Sequence, residues 1–330
     1  MKVRQPVSLF FNEEEADRWL PFDRYPRHVI RFLVRGPRQP GGARRVLLNL
    51  TKGLDLIGVP YRLNDFRHMR QHSDELVCLI GQPQLLEKFP PHTPMIFGPA
   101  LYNHPVEDEA LPRRHAIERI VVPSQWVRDM FAKVWPNLVT VWPVGIDTDR
   151  WAPDTGASAK DIDVLVYEKL FRDRERYLGE LVEPLMAELR RQGRSVAYLR
   201  YGYYREPELH ALSRRVRSMV YLSPHETQGI ACEQMMAADV PVLAWDPGGD
   251  WQSLEYLLRG VRFGPVTSVP YWDDRCGVKF TNANDFREAF ARFWPAVERG
   301  AFAPRQMILD NGLTLAASAE AYVDLVEKHR

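Results

Sequence analysis

At 330 residues the chain exceeds what one compact core usually serves, so two domains are the default. With 44 basic and 43 acidic residues the net charge is +1, which excludes a whole-protein field aimed at nucleic acid or an anionic membrane. The three cysteines, at 78, 232 and 276, are odd in number and far apart, which argues against a disulfide scaffold or a zinc framework and fits a reduced, cytoplasmic setting.

The first 27 residues hold a short strand candidate at Val7–Phe11, with too brief an apolar run for a signal peptide. No segment approaches the roughly 18 uninterrupted apolar residues of a membrane span, although a local patch touching a membrane surface is compatible with this. His28–Arg35 reads as the first well-formed strand, its body made of Val29, Ile30, Phe32, Leu33 and Val34. The turn that follows carries Gly41 and Gly42, and a helix runs from about Arg44 to Leu56 with an apolar face at 46, 47, 50 and 54. Short apolar strand candidates then recur at Pro60–Leu63, Leu76–Gly81, Pro94–Gly98, Arg119–Val122 and Leu138–Trp142. The best helix between them is Ser124–Val134, with Ser124 placed to cap it. Such β/α alternation predicts a mostly parallel sheet covered on both faces.

The pattern restarts after a Pro- and Gly-bearing crossing, Val141–Pro153, and the boundary falls near residue 146. Asp163–Tyr167 is a strand, 174–192 a helix, Ser195–Tyr201 a strand and Glu206–Arg217 a helix. Val220–Trp245 condenses a strand, a turn, a helix and a second strand. In it Pro224 ends the first strand and Thr227 stands where an N-cap would. Val240–Trp245 has the continuous apolar character of a strand buried on both faces. His225 and Glu226 therefore sit at the carboxyl end of a parallel strand beside a helix N-terminus, where open α/β sheets bind ligands and where phosphate is favoured. Further helices are read near Gln252–Leu258, over Asp285–Trp294 with Pro295 marking the end, and over Leu313–Glu327.

Glu226, Gly229 and the run Gln234-Met-Met-Ala-Ala-Asp-Val-Pro241-Val resemble the donor-site signature of retaining GT-B glycosyltransferases of the family 4 type. Glu226, Gly229 and Pro241 are in register with it; Gln234 stands where that family has a second Glu, and Glu233 lies one place early. Ile120–Ser124 and the crossing at 141–153 are similar to the same family. The resemblance implies a GT-B fold: two Rossmann-like, doubly wound parallel-sheet domains facing an interdomain cleft. Residues 1–145 would be the acceptor-side domain and 146–312 the donor domain, with a terminal helix over 313–330 returning to the first.

The resemblance also implies roles. Lys169 and Arg174 would hold the donor diphosphate, with Gly229 allowing close backbone approach; Glu226 would accept from donor-sugar hydroxyls. Gln234 would contact the ribose, and Gly41 and Gly42 would line the acceptor side. His104 would touch the transferred sugar, or serve structure alone. Tyr203, with Tyr201 and Tyr204, could stack on the base or pack within the protein. Glu233 reads as a surface residue. No P-loop, Ser–His–Asp set or Cys/His metal spacing is recognised, and the resemblance implies that neither a metal nor a cofactor is needed beyond the nucleotide-diphospho-sugar itself. The implied partners are that donor and a glycan, glycolipid or small-molecule acceptor, in surface polysaccharide or glycolipid assembly. A degenerate binder without turnover, or another GT-B activity such as a sugar-nucleotide epimerase, remains the alternative.

Overall fold

The computed structural model describes residues 5–12, 20, 23, 25–27, 29–30, 41–153, 160–251 and 253–330. They fall into two compact units. Unit 1 draws on Met1–Val122, Phe131–Val144 and Ser318–Arg330, and unit 2 on Pro123–Met130 and Gly145–Ala317.

Unit 1 is built on six strands: β1 Val7–Asn12, β2 Tyr61–Leu63, β3 Val77–Gly81, β4 Met95–Phe97, β5 Ile117–Val122 and β6 Val139–Val141. They form one parallel sheet in the order β2-β1-β3-β4-β5-β6. The modest candidate at Val7 is thus an interior strand. Val7, Leu9 and Phe10 are wholly buried, and Phe10 packs edge-on against Phe89. The strand read at His28–Arg35 is not borne out where it can be seen. Val29 and Ile30 lie in helical turns and are more than half exposed, and the other residues of that stretch lie outside the described residues. An apolar β-prone run becomes a strand only where a sheet offers it a place, and β1 holds that place between β2 and β3.

The helix expected after the glycine pair runs over Gly42–Leu56, with Val46, Leu47, Leu50 and Leu54 buried. Gly41 is its N-cap residue, in extended conformation. At the far end of unit 1, the helix Leu315–Lys328 sends Tyr322 against Trp142 at 4.6 Å, and the Trp142 indole donates to Ser318 O.

Unit 2 carries five parallel strands, β7 Ile162–Glu168, β8 Val196–Arg200, β9 Val216–Leu222, β10 Val242–Trp245 and β11 Gly277–Phe280, in the order β11-β10-β9-β7-β8. β9 starts at Val216, where the sequence reading had helix, because Ser218 and its neighbours continue the pairing with β7. Connections leave β7 toward β8 in one direction and run on through β9, β10 and β11 in the other. The order therefore reverses between β7 and β9, and open α/β sheets have a crevice at the carboxyl ends of the strands flanking such a reversal.

Two prolines, Pro184 and Pro295, lie within helices of unit 2. The helix read as 174–192 runs without a break over 174–191 but widens inside: Arg174–Tyr177 passes into a π-helical turn over Leu178–Val182 and then into Glu183–Arg191. Pro184 has no N–H to return to the preceding turn, which fits this local widening. Pro295 does not end its helix, which spans Ala283–Glu298. Phe286, Phe290, Phe293 and Trp294 bury one face of it, and that burial outweighs the loss of a single backbone bond.

Candidate functional site

At the reversal point β7 ends in Glu168 and β9 in Leu222, and the residues that follow both strands enclose a pocket of about 260 Å³. Lys169, Phe171, Arg172 and Tyr177 line it from the β7 side, and Pro224 through Thr227 from the β9 side. Parallel pairing places these two loops side by side, since Glu168 is directly opposite Leu222 and the Lys169 N–H donates to Leu222 O at 2.8 Å.

Glu226 is the centre of this wall. It is 6% exposed, and each carboxylate oxygen has a defined donor. Tyr221 Oη and Ser223 Oγ donate to Oε1 at 2.7 and 3.0 Å, and Lys169 Nζ donates to Oε2 at 2.7 Å. Burial, followed by the Glu226 charge, pushes the Tyr221 hydroxyl well above its ordinary value, so it remains a donor. The Glu226 backbone is fixed as well, its N–H donating to Thr267 O and its carbonyl accepting from the Trp126 indole at 2.8 Å. Trp126 belongs to Pro123–Met130, the segment of unit 2 that the sequence reading placed in the first domain; Tyr271 Oη holds the same segment through Pro123 O at 2.6 Å.

Lys169 bridges the two sides. Its ammonium carries three donors, of which Glu226 takes one, and it lies 4.8 Å from the Tyr201 ring centre and 5.7 Å from that of Phe171. Gly229 is the N-cap residue of the helix Ile230–Ala237, with φ of +94°, a conformation that favours glycine. A side chain there would find ordinary space, 3.7 Å from Glu226 Cβ, so backbone conformation and not crowding selects glycine. Thr227, read as the cap, is exposed, and the helix begins three residues later without a side-chain cap bond. Ser124 likewise does not cap: its buried hydroxyl has no hydrogen-bond partner among the described residues.

Arg174 is drawn elsewhere. Its Nε and Nη2 both donate at 2.7 Å to Glu168, a carboxylate with no exposed surface that also accepts from Tyr198 Oη. Burial raises the Glu168 carboxyl, but the Arg174 and Tyr198 hydrogen bonds and the nearby guanidinium charges outweigh it and hold it below its ordinary value. Arg174, read as a diphosphate ligand, thus anchors the end of β7 through Glu168.

The remaining candidates are not among the residues that line this pocket. His104 lies in unit 1 before the 3₁₀ turn Pro105–Glu107, where its Nδ1 accepts from Val106 N at 3.0 Å while Glu107 accepts from the His104 N–H. That is a capping box, the structural alternative for this residue. Gly41 and Gly42 also lie in unit 1, and a Cβ at Gly42 would meet nothing within 4 Å. Tyr203 is 74% exposed with the Arg200 guanidinium over its ring, whereas Tyr204 bonds Tyr167 through the two hydroxyls at 2.8 Å. Gln234 is buried in the second turn of its helix.

Glu233 corrects the sequence reading most sharply. It is 1% exposed, because Ile230–Ala237 is enclosed on nearly every side. Gln228 Nε2 donates to its Oε2 at 2.9 Å, and its Oε1 has no partner among the described residues. Burial chiefly, against the Gln228 bond and with the Glu226 charge adding, pushes its carboxyl up to about 8. Between the ordinary carboxylate value and 8 the folded chain holds a proton that the unfolded chain has lost. Stability contributed here therefore falls as pH rises across that window, by up to about 1.4 kcal/mol per pH unit. Glu233→Gln should remove this slope and leave the variant more stable than the parent at pH 8 and little changed at pH 5. Urea denaturation of both proteins at the two pH values checks it; equal midpoint differences at both would show that Glu233 is not protonated in the fold.

No protein-family model matches the sequence, and no curated protein matches it. Its structure resembles several solved glycosyltransferases. Sucrose-phosphate synthase from Thermosynechococcus elongatus aligns with a TM-score of 0.55 at 13% identity, over 98% of this chain and 99% of that one. The lipopolysaccharide outer core galactosyltransferase WaaB, in its apo form, gives 0.53 at 10% identity, over 98% and 100%. The pneumococcal O-GlcNAc transferase GtfA, in complex with UDP and GlcNAc, gives 0.50 at 12% identity over 80% of this chain. The chain spans 59% of the length of that transferase. These likenesses, with the two parallel sheets, establish the GT-B fold. No helix among the described residues is long and apolar enough to cross a membrane.

Proposed function

We propose that the chain is a glycosyltransferase that binds a nucleotide-diphospho-sugar in unit 2 and moves the sugar to a glycan, lipid-linked or small-molecule acceptor. The observation that carries this is the pairing of Lys169 with Glu226 in a pocket at the β7/β9 reversal, beside the N-terminus of Ile230–Ala237. A departing nucleoside diphosphate accumulates negative charge. An ammonium with donors to spare and the first-turn N–H groups of a helix opened by Gly229 are suited to receive it. Lys169, not Arg174, takes the diphosphate in this reading. Glu226, polarised by two hydroxyls, accepts from donor-sugar hydroxyls, and Gln234 supplies a neutral contact toward the ribose. Transfer proceeds with retention at the anomeric carbon and without a metal on the diphosphate, as the sequence resemblance implies.

A screen of UDP-, GDP-, ADP- and TDP-sugars by thermal unfolding tests the reading. A donor at 100 times its dissociation constant adds about 2.7 kcal/mol, a rise of about 5–10 °C for a unit of this size. Lys169→Ala should abolish the rise. No response to any nucleotide sugar would overturn the assignment. A second reading, a sugar-nucleotide binder without turnover, draws on Gln234 in place of the family's carboxylate; donor stabilisation with neither transfer nor donor hydrolysis would favour it.

A further inference from the structure

Between β2 and β3, in unit 1, the short helix Phe66–Gln71 and the turn after it bring His68, His72 and Glu75 together. One ligand atom from each lies within 4.8 Å of the others. The spacing explains the convergence. Residues four apart share a helix face, and the turn in which the Glu75 N–H donates to His72 O at 3.1 Å folds the carboxylate back onto that face. The two imidazoles stack with centroids 4.1 Å apart, and His68 Nε2 lies 2.8 Å from Glu75 Oε2.

We infer that His68, His72 and Glu75 form a binding site for a borderline divalent transition ion of the zinc class, separate from the residues of the proposed donor site. Two imidazoles and one carboxylate are a donor set that zinc takes readily and that magnesium, which favours oxygen ligands, does not. His72 is already oriented as a ligand. Its Nδ1 lies 3.0 Å from His68 O, and because a carbonyl can only accept, that nitrogen carries the proton and leaves Nε2 as a lone pair. Ion binding at His68 Nε2 replaces its hydrogen bond to Glu75, the ring proton moving to Nδ1 while Glu75 Oε2 turns to the ion. Ligands about 2.0–2.1 Å from a tetrahedral zinc stand roughly 3.4 Å apart, so the donors must draw in by about 1.4 Å at most. Rotation of exposed His72 and Glu75, whose side chain is 42% accessible, supplies that movement. Arg62 Nη1 approaches Glu75 at 4.0 Å and opposes a cation, but nearly a third of its side chain is exposed, where solvent screens it. Three protein ligands leave a fourth position for water.

The test is calorimetric titration of the full chain with zinc chloride at pH 7.5, with magnesium chloride as the control. The expected result is one zinc bound per chain, no heat from magnesium, and at least a tenfold loss of affinity in each of His68→Ala, His72→Ala and Glu75→Gln. His72→Ala alters an exposed side chain, so its circular dichroism and unfolding midpoint should match the parent, which separates lost binding from lost folding. No stoichiometric binding, or zinc affinity unchanged in the three variants, overturns the site.

Discussion

Glu226→Ala should lower sugar transfer by about 100-fold, the largest catalytic effect expected of any single substitution in unit 2. The size follows from the 1.5–3 kcal/mol typical of a hydrogen bond to a charged group. It is expected in kcat more than in KM, because Lys169, which the proposal gives the diphosphate, is retained. Removing the carboxylate also strips the acceptor from Tyr221, whose hydroxyl is wholly buried, at a stability cost of about 1–3 kcal/mol. Initial rates with a responding donor, taken well below the variant's unfolding midpoint, keep the two effects apart. Transfer at the parental rate in Glu226→Ala would sink the assignment of this site.

The largest effect on folding is expected at the Glu168–Arg174 pair. Arg174→Ala should cost unit 2 about 3–5 kcal/mol, since it leaves the Glu168 carboxylate, which has no exposed surface, without its ion-pair partner. Glu168→Ala should cost less, because the Arg174 side chain left behind is 27% exposed and its charge is partly solvated. The carboxyl is held low in the fold. Its contribution is therefore fully present above the ordinary carboxylate range and is lost as pH falls through the lower folded value. Urea midpoints at pH 7 and pH 3 check both statements. The gap between parent and Glu168→Ala should shrink at pH 3, and an unchanged gap would mean that the carboxylate charge is not what holds Arg174.

The sheets were legible where burial was uniform. β7, β9 and β10 stand out because strands covered on both faces read as continuous apolar runs, and β3 does so for the same reason. Val29 and Ile30 have the same composition yet are exposed, since whether an apolar run joins a sheet depends on neighbours far away in the chain. The wall around Glu226 was legible only as loop positions. Lys169 meets Glu226 across 57 residues and Trp126 meets it across 100, and no local pattern encodes either contact. The partner of Arg174 was not legible, because Glu168 lies just past the strand read at Asp163–Tyr167 and nothing local marks it as a fully buried carboxylate. Glu233 misled for a different reason. A Glu in a small-residue helix suggests a solvent face, but this helix has almost none. His68, His72 and Glu75 were readable as a spacing and overlooked, because the closing element is a turn that helix periodicity does not predict.

The three-segment make-up of unit 1 bears on the order in which the chain is synthesised. Residues 1–144 leave the ribosome first, yet Trp142 has its acceptor in Ser318, and Pro143 O its donor in the Ser318 hydroxyl. All of 145–317 is translated in between, on the order of ten to thirty seconds at ribosomal rates. The unit that begins first is therefore completed last. While unit 2 emerges with every strand of its sheet in one stretch of sequence, the Trp142 indole and the surface that Tyr322 will cover stay open to chaperones.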